Sequence, residues 1–131
     1  MNTSLFNALG YFLEVMRPFV VDVLKKNFPG EPWEGVLYAK LSYDKQRMWN
    51  ISADNLAING GDTKNLIDFG NLVSFAISFK EQVIQEVGSK QDANRFIAYL
   101  QELQTARNKC QHYQELSSTE VEMAFGSMKM I

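Results

Sequence analysis

The chain has very little metal-binding or redox chemistry, with one cysteine and one histidine among its 131 residues. A single cysteine, Cys110, excludes a disulfide within the chain, and together with one histidine it offers no ligand set for structural zinc. A chain without disulfides is typical of a reducing compartment. We therefore expect a cytoplasmic protein without a metal site or a cofactor.

Long apolar runs are also missing. The most apolar stretch, residues 66–79, is interrupted by Asp68, and it is shorter than the roughly 20 residues that a membrane-spanning helix needs. Near the start, Gly10, Glu14 and Arg17 break up the apolar residues, so the pattern of a secretory signal is absent. We expect neither membrane insertion nor secretion.

The charge balance shows no excess of positive charge. Thirteen Lys and Arg residues face fifteen Asp and Glu residues, which gives a formal net charge of −2. Such a chain has no overall positive field to attract phosphates. The longest basic run, Lys25-Lys26, is typical of a solvated helix end. Any contact with nucleic acid must therefore be local.

The content of hydrophobic residues, 46%, is enough to form one core, and we treat residues 1–131 as a single domain. Apolar residues at spacings of three and four predict a first helix over residues 4–26, either kinked near Pro18 or divided there into two helices. A second helix is predicted from Pro32, although the alternation over residues 37–43 also fits a strand.

The rest of the chain is predicted to be mainly helical. Residues 50–63 suggest an irregular segment with a turn at residues 59–62. The predicted helices that follow run from Asp62 or Thr63 to Gly88, from Ser89 or Asp92 to about His112, and from a capping box formed by Ser117 with Glu120 or by Thr119 with Glu122. We therefore predict an all-α fold with four to five helices in an up-and-down bundle. The last helix runs to the end of the sequence, which fits a short final helix or the N-terminal fragment of a longer protein.

Most enzyme signatures are absent, including phosphate-binding glycine loops, G-x-S-x-G, H-E-x-x-H and paired C-x-x-C. One cluster remains, formed by Arg107, Asn108 and His112. It places a permanent cation, an amide and a titratable imidazole within about one and a half helical turns, all suited to one phosphate. The alternative is a surface histidine near a helix end beside two residues that bind loops. The residues alone favour neither interpretation.

The sequence from Arg107 to His112 reads R-N-K-C-Q-H, and it resembles the R-x(4 to 6)-H motif of HEPN-superfamily ribonucleases, in which Asn commonly follows the Arg. The stretch containing Arg17-Pro18-Phe19 is similar to the LRPFVE segment of Swt-type HEPN domains. The chain differs at Cys110-Gln111, where the family often has Trp-Ala. It also has Gln114 where a related toxin branch carries a modified tyrosine, so that regulation is not transferred.

The resemblance implies a bundle of HEPN type that cuts RNA without metal, in a defence, toxin or RNA-surveillance setting. Arg107 would stabilise the phosphorane, His112 would act as general acid or base, and Asn108 would orient either group. The resemblance also implies a homodimer with a composite active site, and either an antitoxin or a fused effector domain. The alternative is a non-catalytic dimerisation, adaptor or sensor module of a larger defence protein, in which Arg107 and His112 are only an interface pair.

Overall fold

The computed structural model describes residues 3–111 and 117–130, and the only regular secondary structure among these residues is helical. The prediction of an all-α fold is confirmed, although the described residues form more helices than the expected four to five. In chain order they are α1 (Thr3–Asn27), α2 (Trp33–Tyr38), α3 (Tyr43–Asn59), a 3-10 helix (Thr63–Leu66), α4 (Phe69–Ser78), α5 (Lys80–Val87), α6 (Lys90–Gln111) and α7 (Ser118–Met130).

Helix α1 is continuous through Pro18, so the first helix is not divided in two. Proline removes one backbone donor from a helix interior, and a kink there stays a prediction. Lys25 and Lys26 occupy the last turn, where positive charge suits the helix dipole. The side-chain amide of Asn27 donates a hydrogen bond to the Val23 carbonyl oxygen at 2.8 Å. These polar residues explain why α1 ends where it does.

The segment after α1 contains two corrections. The strand alternative is wrong, because Pro32 is the N-cap of the short helix α2. The irregular segment predicted for residues 50–63 is also wrong over most of its length, because α3 continues to Asn59 before the expected glycine turn. The helix begins at Ser42, whose hydroxyl accepts a hydrogen bond from the Lys45 amide. Only Trp49 of α3 is buried, so the apolar periodicity that would have indicated a helix is weak.

The single helix predicted up to Gly88 is instead divided into three. Asp62 caps the 3-10 helix. Asp68 and Asn71 form a capping box at the start of α4. The Asp68 carboxylate accepts a hydrogen bond from the Asn71 backbone amide, and the Asn71 side-chain oxygen accepts one from the Asp68 backbone amide. Phe79 leaves the helical backbone conformation between α4 and α5. The predicted end is confirmed, because Gly88 has φ of 94°, a conformation that glycine adopts without strain.

The last two helices follow their predicted signals. The Ser89 hydroxyl accepts a hydrogen bond from the Asp92 amide at the start of α6. At the start of α7, Ser117 and Glu120 form the capping box, each side chain accepting from the other residue's amide. This confirms the first of the two predicted boxes.

Helix α6 packs against α4, α5 and α7, and α1 lies against the same group. The core between these helices consists mainly of aliphatic and aromatic side chains. Its largest fully buried members are Phe75, Leu5, Leu9, Leu24, Leu37, Ile67, Leu72, Leu100 and Leu103. Over residues 3–111 and 117–130, none of the helices has the length and apolar character to cross a membrane.

Candidate functional site

One face of α6 lines a cavity whose wall combines polar and apolar side chains. Gln104, Arg107 and Asn108 are three and four residues apart, so their side chains project from neighbouring positions on the helix. All three line a cavity of about 390 Å³, whose other walls come from α3, Leu66 and the start of α4. The structure therefore places Arg107 and Asn108 at the same cavity. Both side chains would have to line one cavity in order to contact the same phosphate.

His112, the third predicted site residue, lies outside the described residues. Its pairing with Arg107 stays a prediction, and so do the roles of Arg107 and Asn108. Among residues 3–111 and 117–130, no three side chains of His, Cys, Asp or Glu gather closely enough to hold a metal ion. The expectation that the protein uses no metal also stays a prediction.

Three polar side chains meet above Gly70, a residue near the start of α4. A Cβ atom placed on Gly70 would lie 3.3 Å from Asp68 Oδ1, 3.4 Å from Gln104 Nε2 and 3.5 Å from Lys45 Cε. The three groups come from the cap of α4, from α6 and from α3. Because Gly70 has no side chain, the cavity keeps an open floor at the point where these groups approach one another.

Lys45 brings a second cation to the cavity. Its Nζ donates hydrogen bonds to Ser74 Oγ at 2.7 Å and to the Gly70 carbonyl oxygen at 3.2 Å. Both acceptors belong to α4, so the side chain crosses from α3 to the floor of the cavity. Sequence reasoning missed Lys45 because it missed α3. The available signal was Ser42 as an N-cap with Asp44 in the first turn, a typical helix start.

Asp68 has a structural role as the N-cap of α4. Its Oδ1 accepts a hydrogen bond from the Asn71 amide at 2.7 Å. Behind it, Arg17 Nε donates to the Ile67 carbonyl oxygen at 2.9 Å. Burial lowers the pKa of the Arg17 guanidinium, and the negative charges of Glu14 and Asp68 oppose that change. Because arginine stays charged in proteins, Arg17 offsets part of the negative charge of Asp68.

The segment Arg17-Pro18-Phe19 carries part of the family resemblance. Its Phe19 side chain, like the Arg17 hydrogen bond, contributes to the packing of α1 against other helices. Phe19 makes edge-to-face contacts with Phe75 and Phe96, with ring centroids 6.3 and 6.1 Å apart. Such pairs favour packing beyond the burial of apolar area. Together with the Arg17 hydrogen bond, these contacts join α1 to α4 and α6. The segment positions the helices that form the cavity.

Cys110 points into the core and is fully buried. Burial raises the pKa of its thiol. Because the thiolate is the reactive form, a buried thiol with a raised pKa reacts slowly. Cys110 therefore acts as a small apolar side chain on the inner face of α6.

Two side-chain contacts hold α7 against the end of α6. Lys109 forms an ion pair and hydrogen bond with Glu120, and the Ser127 hydroxyl donates to Glu102 at 2.8 Å. The hydrogen bond from Lys109, followed by that from the Ser117 amide, lowers the pKa of Glu120. Because Lys109 is two residues from Arg107, this contact helps to fix the part of α6 that borders the cavity.

A larger cavity of about 840 Å³ lies between α2 and the α4–α5 junction. Its wall combines apolar Phe28 and Phe79 with oppositely charged side chains, among them Glu31 and Lys80. No residue predicted from the sequence as part of a site lines this cavity. The smaller cavity brings together Lys45 and Arg107 from two different helices, and the carboxylates of Asp44 and Asp68 also line it.

Comparisons with known proteins identify no relative. No family model matches the chain, and neither the curated proteins nor the solved structures include a significant match.

Proposed function

We propose that this protein is a metal-independent endoribonuclease of HEPN type. The observation that carries the proposal is that Arg107 and Asn108 line the same cavity as Lys45. The sequence resemblance adds His112, and it adds the up-and-down bundle of that family. The all-helical secondary structure and the position of Arg107 and Asn108 on the late helix α6 agree with this proposal.

RNA supplies the nucleophile of the proposed reaction. The 2′-hydroxyl attacks the adjacent phosphorus and loses its proton, and the bond from phosphorus to the 5′-oxygen breaks. The products carry a 2′,3′-cyclic phosphate and a 5′-hydroxyl. His112 exchanges protons in these steps, because an imidazole titrates near neutral pH. Arg107 donates two hydrogen bonds to phosphate oxygens and stabilises the charge that grows in the transition state. Asn108 orients either partner.

A single Arg-His pair in each chain leads us to propose a homodimer, in which two copies form a composite active site around a two-fold axis. With a net charge of −2, the isolated domain attracts RNA weakly over long distances. Because this attraction is weak, the proposal includes a fused effector domain that delivers RNA to the site. The alternative partner is an antitoxin that restrains the activity of the site.

Product analysis tests the proposal. Purified protein is incubated with end-labelled single-stranded RNA in excess chelator, and with the same sequence carrying 2′-O-methyl groups. We expect cleavage of the RNA to 2′,3′-cyclic phosphate ends and no cleavage of the methylated strand. Cleavage of the methylated strand, or products with a 3′-hydroxyl, would contradict attack by the 2′-hydroxyl.

A second candidate function is a non-catalytic dimerisation or adaptor module. The observation that favours it is a row of exposed apolar side chains on α3, where Met48, Ile51 and Ile58 are 54%, 49% and 81% exposed. Their spacing of three and seven residues puts them on one helix face. Sedimentation of the wild type and of Ile51→Glu distinguishes the functions when combined with the RNA assay. A dimer lost in Ile51→Glu, with no RNA cleavage by the wild type, supports the adaptor.

A further inference from the structure

We infer that Lys45 is a second phosphate-binding residue of the cavity, which holds the RNA strand together with Arg107. The inference rests on the proposed function for its ligand, a single RNA strand, and it adds a residue that the resemblance does not include. It comes from the packing of α3 against α4.

The hydrogen bonds of Lys45 leave capacity for a ligand. A lysine ammonium has three donors, and the hydrogen bonds of Lys45 to Ser74 Oγ and to the Gly70 carbonyl oxygen occupy two of them. These two acceptors hold the ammonium at the cavity wall. A side chain that is already ordered loses little conformational entropy when it binds a ligand. The third donor is then available to a phosphate oxygen.

The neighbouring donors suit a phosphodiester. Gln104 Nε2 and Lys45 Cε both lie within 3.5 Å of the Cβ position of Gly70, so α6 and α3 bring an amide group and a lysine side chain to one point. Arg107 lies one turn further along α6 and lines the same cavity. A phosphodiester has two non-bridging oxygens that share one negative charge, and these oxygens can accept hydrogen bonds from both cations.

Two carboxylates, Asp44 and Asp68, also line the cavity and oppose the binding of an anion. The charge of Asp68 is partly offset, because its Oδ1 caps α4 and Arg17 lies near it. Asp44 is exposed, so solvent screens its charge. An anion held by Lys45 and Arg107 would therefore meet one carboxylate whose charge is partly offset and one whose charge is screened.

Binding to a strand that cannot be cut tests the inference separately from cleavage. The probe is a fluorescent single-stranded oligoribonucleotide with 2′-O-methyl groups throughout, titrated from low to moderate salt. The variants are Lys45→Met, which keeps most of the stem and removes the charge, and Ser74→Ala, which removes one hydrogen bond of Lys45 and keeps the charge. Lys25→Met is the matched control, since Lys25 is exposed on α1 and no described lining residue comes from that helix.

We expect Lys45→Met to weaken binding about 5-fold at 0.1 M salt and to reduce the slope of log affinity against log salt by about 0.7, as the loss of one phosphate contact requires. Lys25→Met should keep the wild-type affinity and slope, whereas Ser74→Ala should weaken binding less than Lys45→Met does, because the charge of Lys45 remains. Lys45→Arg should restore part of the affinity. If Lys45→Met lowers the melting temperature and leaves the affinity and the slope unchanged, Lys45 is structural and the inference is wrong.

Gly70→Ala gives a second test that keeps every charge. The added methyl group would lie among Asp68, Gln104 and Lys45, and alanine is a better helix former than glycine. We expect weaker binding of the probe without loss of the fold. Unchanged binding would overturn the inference even if Lys45→Met failed to fold. If the probe binds through Lys45 and RNA is not cut, the proposed ribonuclease function fails and the binding role of Lys45 remains.

Discussion

Arg17 donates a hydrogen bond from Nε to the carbonyl oxygen of Ile67, at 2.9 Å and across 50 residues of sequence. Ile67 is fully buried and directly precedes Asp68, the cap of α4. A buried carbonyl oxygen needs a partner, and here a charged side chain provides one. The interaction sets the start of α4, and therefore the floor of the candidate site.

Replacement of Arg17 by Met tests this role. The change keeps an apolar stem and removes the donor to the Ile67 oxygen, and we expect it to lower the free energy of unfolding by about 1–3 kcal/mol. Urea denaturation measures the change. Arg95→Met is the control, because Arg95 is 57% exposed and pairs only loosely with Asp92, so its cost should be about 0–1 kcal/mol. Equal losses in the two variants would show that the buried hydrogen bond contributes little.

The contact between Lys109 and Glu120 predicts a pH-dependent contribution to stability. The contact lowers the pKa of Glu120 below its ordinary value of 4.5. A carboxyl group with a lowered pKa in the folded state stabilises the fold above that ordinary value, and the contribution is lost as the pH falls towards the folded value. Glu120→Gln keeps a side chain suited to the capping box and removes the charge.

We therefore expect Glu120→Gln to melt at a lower temperature than the wild type at neutral pH. The difference should shrink as the pH falls below 4.5. Melting curves across that pH range measure it, and Glu122→Gln, an exposed residue of the same helix, is the control. A difference that stays constant with pH would mean that the ionised form of Glu120 is not stabilised by Lys109.

The burial of the Cys110 thiol predicts a low rate of reaction with thiol reagents. Because burial excludes reagents and raises the pKa of the thiol, we expect native protein to react with an aromatic disulfide far more slowly than protein in denaturant. The release of the coloured thiol measures the rate at mildly alkaline pH. Rapid, complete reaction of the native protein would place Cys110 at the surface, and that would contradict the packing of α6.

Sequence signals predicted the helix ends that depend on local hydrogen bonds. Ser89, Gly88 and the Ser117–Glu120 box all act where the sequence indicates. The start of α4 was missed because Asp68 lies inside an apolar run, and its partnership with Asn71 is invisible to hydrophobic periodicity. The apolar residues around Asp68 and Asn71 therefore predicted one continuous helix where the structure begins a new one.

The sequence predicted only those residues of the candidate site that come from α6. The motif gave Arg107 and Asn108, which do line one cavity, and His112, which lies outside the described residues. Lys45 could not be predicted, because its place depends on how α3 packs against α4. A polar helix with one buried tryptophan, Trp49, gives the sequence no apolar stripe from which to infer that packing.

The most direct test of the central claim is the rate of RNA cleavage in chelator by the wild type and by variants of the two motif residues. We expect Arg107→Ala and His112→Ala each to reduce the rate at least about 100-fold, because each removes a transition-state contribution. The control Arg95→Ala should keep the wild-type rate, and circular dichroism should show that all three variants are folded. Cleavage that survives both motif substitutions would contradict the proposed ribonuclease site.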